Sequence, residues 1–314
     1  MREFGFELAV CAGLERDGRL VARQLSGAVH GSRIVDCVVI EPGPAFDKRT
    51  RITDQTIPPQ LLEASIGPGT PRRPSDILGD SSYAREAVET GLACGYLVRE
   101  RRDGQAYVRA TARYPADWFD GLVAIENKPD LGQPGELQRQ LRTDVSLALF
   151  DRVWLATASH VTGAHLNRIP EAVGVWRINP ETGERTIVRE PTPLPTEEPG
   201  LELRARHAGR VDVRPVDAAA KHRYRRRIAE RAYGKGWRVP FPDCPAVEER
   251  SVAGVGGLAY CTRQERFVRP ADACDCARAG PDVDTDARRA EHSPWVRNPA
   301  GTRRRQAGLD RYRS

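Results

Sequence analysis

The sequence predicts an α/β protein built around a mixed sheet, and three observations lead to this fold class. Residues 33–40 (RIVDCVVI) and 152–157 (RVWLAT) are short apolar runs rich in β-branched and aromatic side chains, which is typical of buried strands. Residues 2–15 and 135–150 instead show the i, i+4 apolar spacing of helices. Helices that alternate with strands favour an α/β layer over an all-helical or all-β architecture.

The first two predicted elements each carry one acidic residue of interest. The helix over residues 2–15 has Phe6, Val10 and Leu14 on one stripe, with Glu7 at its edge. In the strand predicted over residues 33–40, only Asp36 interrupts the hydrophobic pattern. A buried carboxylate without a partner is costly, so Asp36 is expected to face solvent, a partner or a metal.

Residues 42–113 are predicted to form an insert that resembles a winged-helix module. Two helix-like segments are followed by YLVRERRDGQAYVRAT, whose Arg102-Asp103-Gly104 is typical of a β-hairpin turn. In such a module Arg99, Arg101, Arg102 and Arg109 would line the hairpin, or wing. Contact with DNA and contact with another protein are both open for this insert.

A carboxylate and an ammonium group follow the next predicted strand, in GLVAIENKPDLG (residues 121–132). Alternate residues of a strand point to the same face, so Glu126 and Lys128 would lie on one side, with Asn127 between them. The alternative is an ordinary charged strand end. Only four of the 49 cationic residues are lysines, which makes Lys128 less expected as a casual surface charge.

The rest of the first domain is predicted as a helix over 135–150, a strand over 152–157 and a hairpin over 174–190. PTPLPTEEPG (residues 191–200) has the composition of a linker. Residues 1–41 and 114–190 would therefore form one α/β core, and residues 201–290 a separate region. Residues 291–314 are expected to be a disordered basic tail.

Positive charge is concentrated after residue 200. Residues 201–314 carry 25 Lys and Arg against 15 Asp and Glu, whereas residues 1–200 carry 24 against 28. A basic region on an otherwise acidic chain suggests a polyanionic partner such as DNA. The residues expected to contact it are Lys221, Arg223, Arg225, Arg226, Arg227, Lys235 and Arg238. A solvated helix face is the alternative.

Four of the seven cysteines cluster late in the chain, at Cys244, Cys261, Cys274 and Cys276. Their Gly- and Pro-rich surroundings favour a metal site, with zinc as the expected ion and an Fe–S cluster or no metal as the alternatives. The other three cysteines, Cys11, Cys37 and Cys94, lie in apolar segments and are predicted to be buried thiols.

The order of a helix with Glu, a strand with Asp, a strand ending in E-x-K, a helix and a strand resembles the PD-(D/E)XK nuclease superfamily and its restriction-endonuclease-like αβββαβ core. The whole chain also resembles an uncharacterised family of haloarchaeal proteins. The nuclease resemblance implies that Asp36 and Glu126 hold Mg²⁺ or Mn²⁺ and that Lys128 orients the attacking water. It further implies that Glu7 binds a second metal or a metal-bound water, with Asn127 and Gln140 in supporting positions.

The function expected from this resemblance is metal-dependent hydrolysis of DNA phosphodiester bonds, that is, a nuclease. Two alternatives stay open: a DNA-binding regulator with an inactive nuclease-like core, and a protein-interaction scaffold. No run of about 18 apolar residues occurs, so no membrane span is expected. The N-terminus lacks a signal-peptide pattern, so a cytoplasmic location is expected. The sequence leaves open whether the protein forms a homodimer.

Overall fold

The computed structural model describes residues 3–26, 34–64, 66–79, 81–132, 135–207, 210–242 and 244–272, with two short strands at 295–298 and 303–306. It confirms a mixed α/β fold with a mixed sheet. The helices are α1 (Glu3–Arg16), α2 (Phe46–Thr50), α3 (Pro59–Glu63), α4 (Pro74–Leu78), α5 (Ser82–Ala93), α6 (Leu137–Leu147), α7 (Gly163–Leu166) and α8 (Ala218–Lys235).

In the described part of the chain the strands form five sheets, and the largest of them has six strands. The strands are β1 (Leu20–Ser26), β2 (Ile34–Pro42), β3 (Leu97–Arg102), β4 (Gln105–Ala110), β5 (Phe119–Asn127), β6 (Arg152–Thr157), β7 (Gly174–Ile178), β8 (Arg185–Arg189), β9 (Gly200–Arg206), β10 (Val211–Val216), β11 (Val247–Val252), β12 (Val255–Cys261), β13 (Arg266–Phe267), β14 (Trp295–Asn298) and β15 (Arg303–Gln306).

The central sheet has the strand order β1-β2-β5-β6-β7-β8. The pairs β1/β2, β2/β5 and β7/β8 are antiparallel, whereas β5/β6 and β6/β7 are parallel. The parallel step from β5 to β6 is bridged by α6, as a parallel connection requires. Because β5 and β6 are parallel and central, their residues are apolar almost throughout.

Apolar side chains cover both faces of this sheet. On one face, Leu122 and Ala124 of β5 share a core with residues of α6 and α8. On the other face, Val123 and Ile125 share a core with α1. The sequence predicts a single apolar stripe along α1. In the structure the buried surface of α1 is wider, because every residue from Gly5 to Glu15 is buried. The reason is that α1 lies between the central sheet and the small sheet β11-β12-β13, which it also contacts.

The insert between β2 and β5 has its own apolar core, which contains Ile57, Leu61 and Val88. Helices α3, α4 and α5 precede the antiparallel hairpin β3/β4, and a bridge between Arg72 and Val108 adds a third short extended segment to it. Ser81 caps the N-terminus of helix α5: its hydroxyl accepts a hydrogen bond from the Ala84 N–H at 3.1 Å.

The segment at 191–200 does not separate two cores. Leu194 N donates to the Asp151 carbonyl at 2.9 Å, and the Thr196 hydroxyl donates to the Asp151 carboxylate at 3.0 Å. Helix α8, beyond this segment, places Ile228 and Tyr233 in the core of the central sheet. The predicted boundary is therefore corrected: a Pro-rich composition limits helix and strand formation, but it does not prevent the chain from packing against a core.

Among the described residues, no helix combines the length and the apolar character needed to cross a membrane.

Candidate functional site

Asp36 and Glu126 lie on neighbouring antiparallel strands, β2 and β5. The register pairs Cys37 with Ile125, and continuing it by one residue sets Asp36 opposite Glu126. Residues opposite each other in an antiparallel pair have Cα atoms about 4.5–5.5 Å apart and point to the same face. Glu126 is buried and Asp36 is half-buried. The structure thus brings these two predicted residues together as neighbours at the end of the sheet.

The Asp36 carboxylate accepts hydrogen bonds from both neighbouring strands. Gln24 Nε2 donates to Oδ1 at 3.2 Å, and the backbone N–H of Asn127 donates to Oδ2 at 2.9 Å. The prediction that Asp36 needs a partner inside its apolar strand is met by these two donors. These two bonds orient the carboxylate at the end of the sheet.

Gln24, which no sequence motif singles out, connects Asp36 to Glu7. Its Nε2 also donates to Glu7 Oε1 at 2.8 Å, while Arg23 Nη1 lies 3.1 Å from Glu7 Oε2. Burial raises the pKa of Glu7 above its ordinary value, and the nearby Arg23 charge and Gln24 hydrogen bond oppose this increase. Gln24 could have been found only by recognising LVARQLS (residues 20–26) as a strand with polar alternate positions.

Glu7 lies on the α1 side of the sheet. Strand alternation places Glu126 on the other side, with Leu122 and Ala124, whose core includes α6. Glu7 is therefore linked to Asp36 through Gln24, at the edge of the predicted site.

Asn127 points towards α1, and its carboxamide is buried. Its Nδ2 lies 3.2 Å from Cys37 Sγ, and Cys37 Sγ lies 3.3 Å from Cys11 Sγ. Burial raises the pKa of Cys37 well above its ordinary value. Asn127 Oδ1 has no hydrogen-bond partner among the described residues. The side chain of Asn127 is thus a structural element beneath the strand end, and Cys11, Cys37 and Cys94 are the buried thiols that the sequence predicts.

Lys128 is the first residue after β5 and is half-buried. Its backbone N–H donates to the Ala156 carbonyl at 2.9 Å, which continues the β5/β6 pairing by one residue. Within the described ranges its ammonium group makes no hydrogen bond and no ion pair. Gln140 lies half-buried in α6, the helix that follows. Alternation sets the Lys128 and Glu126 side chains on the α6 side of the sheet.

Metal binding at Asp36 and Glu126 is restricted by the number of ligands available. The described residues hold no group of three or more His, Cys, Asp or Glu side chains that could ligate one ion. Two adjacent carboxylates suit Mg²⁺, which retains several waters and is commonly held by one or two carboxylates together with phosphate oxygens. The donor set therefore fits a partly hydrated magnesium or manganese ion and does not fit a closed protein cage.

Two of the four clustered cysteines, Cys244 and Cys261, lie on neighbouring segments of the chain. Cys244 and Cys261 are buried, and Cys261 packs with Phe241, Ala259 and Val268. The Val247 N–H, opposite Cys261 in the β11/β12 pair, donates to the Cys244 carbonyl at 3.0 Å. Cys274 and Cys276 lie outside the described residues, so the structure describes half of the predicted site.

Two basic residues expected to contact DNA are buried. Lys221 is 2% exposed and donates to the Pro195 carbonyl at 2.6 Å. Arg225 is 3% exposed and donates to both Asp151 carboxylate oxygens, at 2.9 and 3.1 Å. Both predictions are corrected: helix α8 turns these positions towards the sheet, where their cations are satisfied inside the protein.

Most of the other predicted basic residues are accessible but paired. Arg99 contacts Glu89, Arg102 and Arg109 contact Glu100, Arg227 contacts Glu63, Arg238 contacts Glu15, and Lys235 Nζ donates to the Gln24 carbonyl. Arg101 and Arg223 are exposed, and Arg226 is half-buried. The wing and the outer face of α8 therefore hold the accessible part of the predicted basic surface.

The comparisons with known proteins give a family without a function. No curated protein and no solved structure matches the chain. The model of a family of unknown function, DUF5787, matches residues 20–281, a span that includes Asp36, Glu126, Lys128 and α8. The chain therefore belongs to the DUF5787 family.

Proposed function

We propose that this protein is a metal-dependent nuclease that hydrolyses phosphodiester bonds in DNA, acting in the cytoplasm. One observation carries the proposal. The elements α1-β1-β2-β5-α6-β6 have the αβββαβ order of restriction-endonuclease-like cores, and the pairing of β2 with β5 sets Asp36 beside Glu126, with Lys128 following. The insert falls between two neighbouring strands, so it leaves this order intact.

The roles of the side chains follow from their charge and position. Asp36 and Glu126 would hold a Mg²⁺ or Mn²⁺ ion. When bound, such an ion polarises the phosphodiester and lowers the pKa of a coordinated water. Lys128 is half-buried, so its ammonium group would interact strongly with a phosphate brought to the strand end. Among the described residues no carboxylate pairs with this ammonium group, which supports this role.

Exposed basic residues elsewhere on the molecule support nucleic acid as the substrate class. In the insert, which joins the sheet at the end opposite Asp36 and Glu126, helices α3, α4 and α5 precede a hairpin, the order of winged-helix modules, and the hairpin exposes Arg99, Arg101 and Arg102. Binding through such arginines would weaken steeply as the salt concentration rises. We retain zinc as a proposal for the four clustered cysteines, supported by the shared location of Cys244 and Cys261.

A second candidate, a DNA-binding regulator without catalysis, is favoured by the contacts of Asp36. Both of its carboxylate oxygens already accept hydrogen bonds, from Gln24 and from the Asn127 backbone. If these donors occupy the directions that a metal needs, the site would be closed to an ion while the wing could still contact DNA.

A cleavage assay separates these candidates. Single- and double-stranded DNA would be incubated with Mg²⁺ or Mn²⁺ and the wild type, Glu126→Gln or Lys128→Ala. Asp120→Asn, an exposed carboxylate at the opposite end of the same strand, and Lys48→Ala, an exposed lysine elsewhere, serve as matched controls. We expect both site variants to lose about 100-fold or more of the cleavage rate, in line with the loss of one strong transition-state contact. The controls should cleave like the wild type.

DNA binding without metal-dependent cleavage by the wild type would instead support the regulator. Cleavage that all four variants retain would overturn the assignment of Glu126 and Lys128.

A further inference from the structure

A cleft lies beside the candidate site, at the start of α6. Its volume is about 280 Å³, and the residues that line it include Leu131, Leu137, Gln138, His165, Arg168 and Ile169. Leu131, Leu137 and Ile169 are 5%, 5% and 7% exposed and belong to the core on the α6 side of the sheet. The floor is therefore apolar and rigid, whereas the rim carries an amide, an imidazole and a guanidinium group.

The cleft opens at the same end and on the same side of the sheet as Glu126 and Lys128. The loop that follows Lys128 is fixed to the end of β6, because Ser159 Oγ donates to the Pro129 carbonyl at 3.2 Å and the Leu131 N–H donates to that Oγ at 3.1 Å. The carboxyl ends of parallel strands are where α/β sheets place ligands. A strand bound at Lys128 would pass directly over this opening.

The rim can recognise the edge of a planar ring. Gln138 is exposed, and its carboxamide can donate and accept. The Thr162 N–H donates to His165 Nδ1 at 3.3 Å, so the neutral imidazole carries its proton on Nε2 and offers a donor there. Arg168 is exposed and makes no ion pair within the described part of the chain. It therefore offers a full positive charge at the mouth of the cleft.

A second and larger cleft, on the α1 side, has a different character. It is lined by Trp154, Trp176, Arg152 and Arg185 among others. Arg152 pairs with Glu41, and Arg185 pairs with Asp17 and covers the Trp176 ring at 5.1 Å. These arginines are already satisfied, which is typical of structural contacts. Of these two clefts, the one at the start of α6 has an arginine, Arg168, that makes no ion pair with the described residues.

We propose that the cleft beside α6 accepts one unpaired nucleobase of the DNA strand whose backbone lies at Lys128, with Arg168 on its phosphate. This inference rests on the proposed function. The apolar floor would replace base stacking, and Gln138 and His165 would contact the base edge, as in enzymes that act on extruded or single-stranded bases. A base inside a duplex is stacked and paired, so it enters such a cleft only after it has been extruded. The preferred substrate is then single-stranded DNA or a duplex with an unpaired base.

Binding without divalent metal tests this inference separately from catalysis. The probes are a single strand, a duplex and a duplex with one unpaired base, each with 2-aminopurine at the tested position. In the wild type we expect tighter binding of the two probes with an unpaired base, and a change in 2-aminopurine fluorescence as the base leaves its stack. Arg168→Ala and Gln138→Ala should each weaken this binding by about tenfold, the lower part of the range expected for loss of one arginine contact.

Arg142→Ala is the matched control, because Arg142 is an exposed arginine one turn further along α6 that lines a different groove. Equal weakening of duplex and unpaired probes by Arg168→Ala and Gln138→Ala would overturn the base cleft, as would no weakening of either. Selective binding without any cleavage would uphold the cleft and contradict the nuclease. Cleavage with no preference for unpaired bases would uphold the nuclease and contradict the base cleft.

Discussion

Single residues at the ends of β1 and β2 determine how the candidate site is held. Gln24 has a left-handed backbone conformation, with φ of 52°, although it is not a glycine. Such a conformation is uncommon for residues with a side chain and is frequently found near functional positions. Here it allows the Gln24 carboxamide to contact Glu7 and Asp36 together, while its carbonyl accepts a hydrogen bond from Lys235.

Replacing Glu7 by Gln should change how stability depends on pH. The pKa of Glu7 is raised above its ordinary value of 4.5 in the folded protein, chiefly by burial. Between these two pKa values the folded state binds more protons than the unfolded state, so the wild type loses stability as the pH rises through this window. The difference in unfolding free energy, wild type minus Glu7→Gln, should therefore increase as the pH falls towards 4.5 and level off below it.

Urea denaturation at a series of pH values measures this difference, with Glu3→Gln, at an exposed position of the same helix, as the control. A difference that does not vary with pH would contradict the assigned burial of the Glu7 charge.

Replacing Gly174 by Ala should destabilise the protein by roughly 1–3 kcal/mol, the usual cost of overpacking a core. A Cβ at this position would lie 2.5 Å from the Trp154 ring, which is stacked on Trp176 with centroids 4.2 Å apart. The ring cannot move away without losing this stack. Urea denaturation and near-UV circular dichroism would report the loss. Gly163→Ala, where a Cβ meets nothing within 4 Å, should leave both unchanged.

At the scale of secondary-structure elements, α8 joins the insert to the central sheet. Its buried Glu230 contacts Arg49 of α2 through two hydrogen bonds, at 2.6 and 2.7 Å, and accepts one from the Tyr114 hydroxyl at 2.8 Å. Burial alone would lower the pKa of Arg49, but the adjacent Glu230 carboxylate raises it. The Arg49 guanidinium also lies 4.2 Å from the centre of the Tyr233 ring. This network keeps the insert in place on α8.

Removing one partner of this pair should cost much more than removing both charges. Arg49→Met leaves an unpaired buried carboxylate, so we expect a loss of about 3–5 kcal/mol in unfolding free energy. The double variant Arg49→Met/Glu230→Gln should recover part of that loss, because the charge is removed while the amide oxygen can still accept from Tyr114. Chemical denaturation of both variants measures the recovery.

The control is Glu89→Ala, which breaks the exposed Arg99–Glu89 pair and should cost less than about 1 kcal/mol. A double variant less stable than Arg49→Met would show that the pair is not held together mainly by its charges.

At the scale of the whole molecule, the chain before residue 200 does not complete its own core. Leu203, Ile228, Ala229 and Tyr233 are buried against the central sheet, and all of them follow the Pro-rich segment. A chain that ends at residue 200 would expose the apolar face that they cover. We expect it to be insoluble or to lack a cooperative unfolding transition.

A chain that ends at residue 272 keeps α8 and the sheet β11-β12-β13, and we expect it to unfold cooperatively. Circular dichroism during thermal unfolding distinguishes the two truncations. A stable, cooperatively folded chain of residues 1–200 would restore the linker as a domain boundary.

Much of the fold follows from local pattern. The predicted helix over 2–15 and strand over 152–157 agree with α1 and β6, and the hairpin over 174–190 agrees with β7 and β8. The sequence pattern does not predict strand β1, because Arg23 and Gln24 interrupt its short apolar run. These polar side chains are tolerated since Glu7, from another element, accepts their hydrogen bonds. No property of residues 20–26 alone contains that information.

The sequence by itself determined the periodicity of the main elements, the position of Asp36 within a strand, the positions of Glu126 and Lys128 at a strand end, and the basic character of α8. These features depend on residues close together in the chain. Only the tertiary structure decided that β2 pairs with β5 across the insert, that Gln24 links Glu7 to Asp36, and that Lys221 and Arg225 are buried. The physical reason is that pairing and burial depend on contacts between distant segments, and loop closure disfavours a long excursion only weakly.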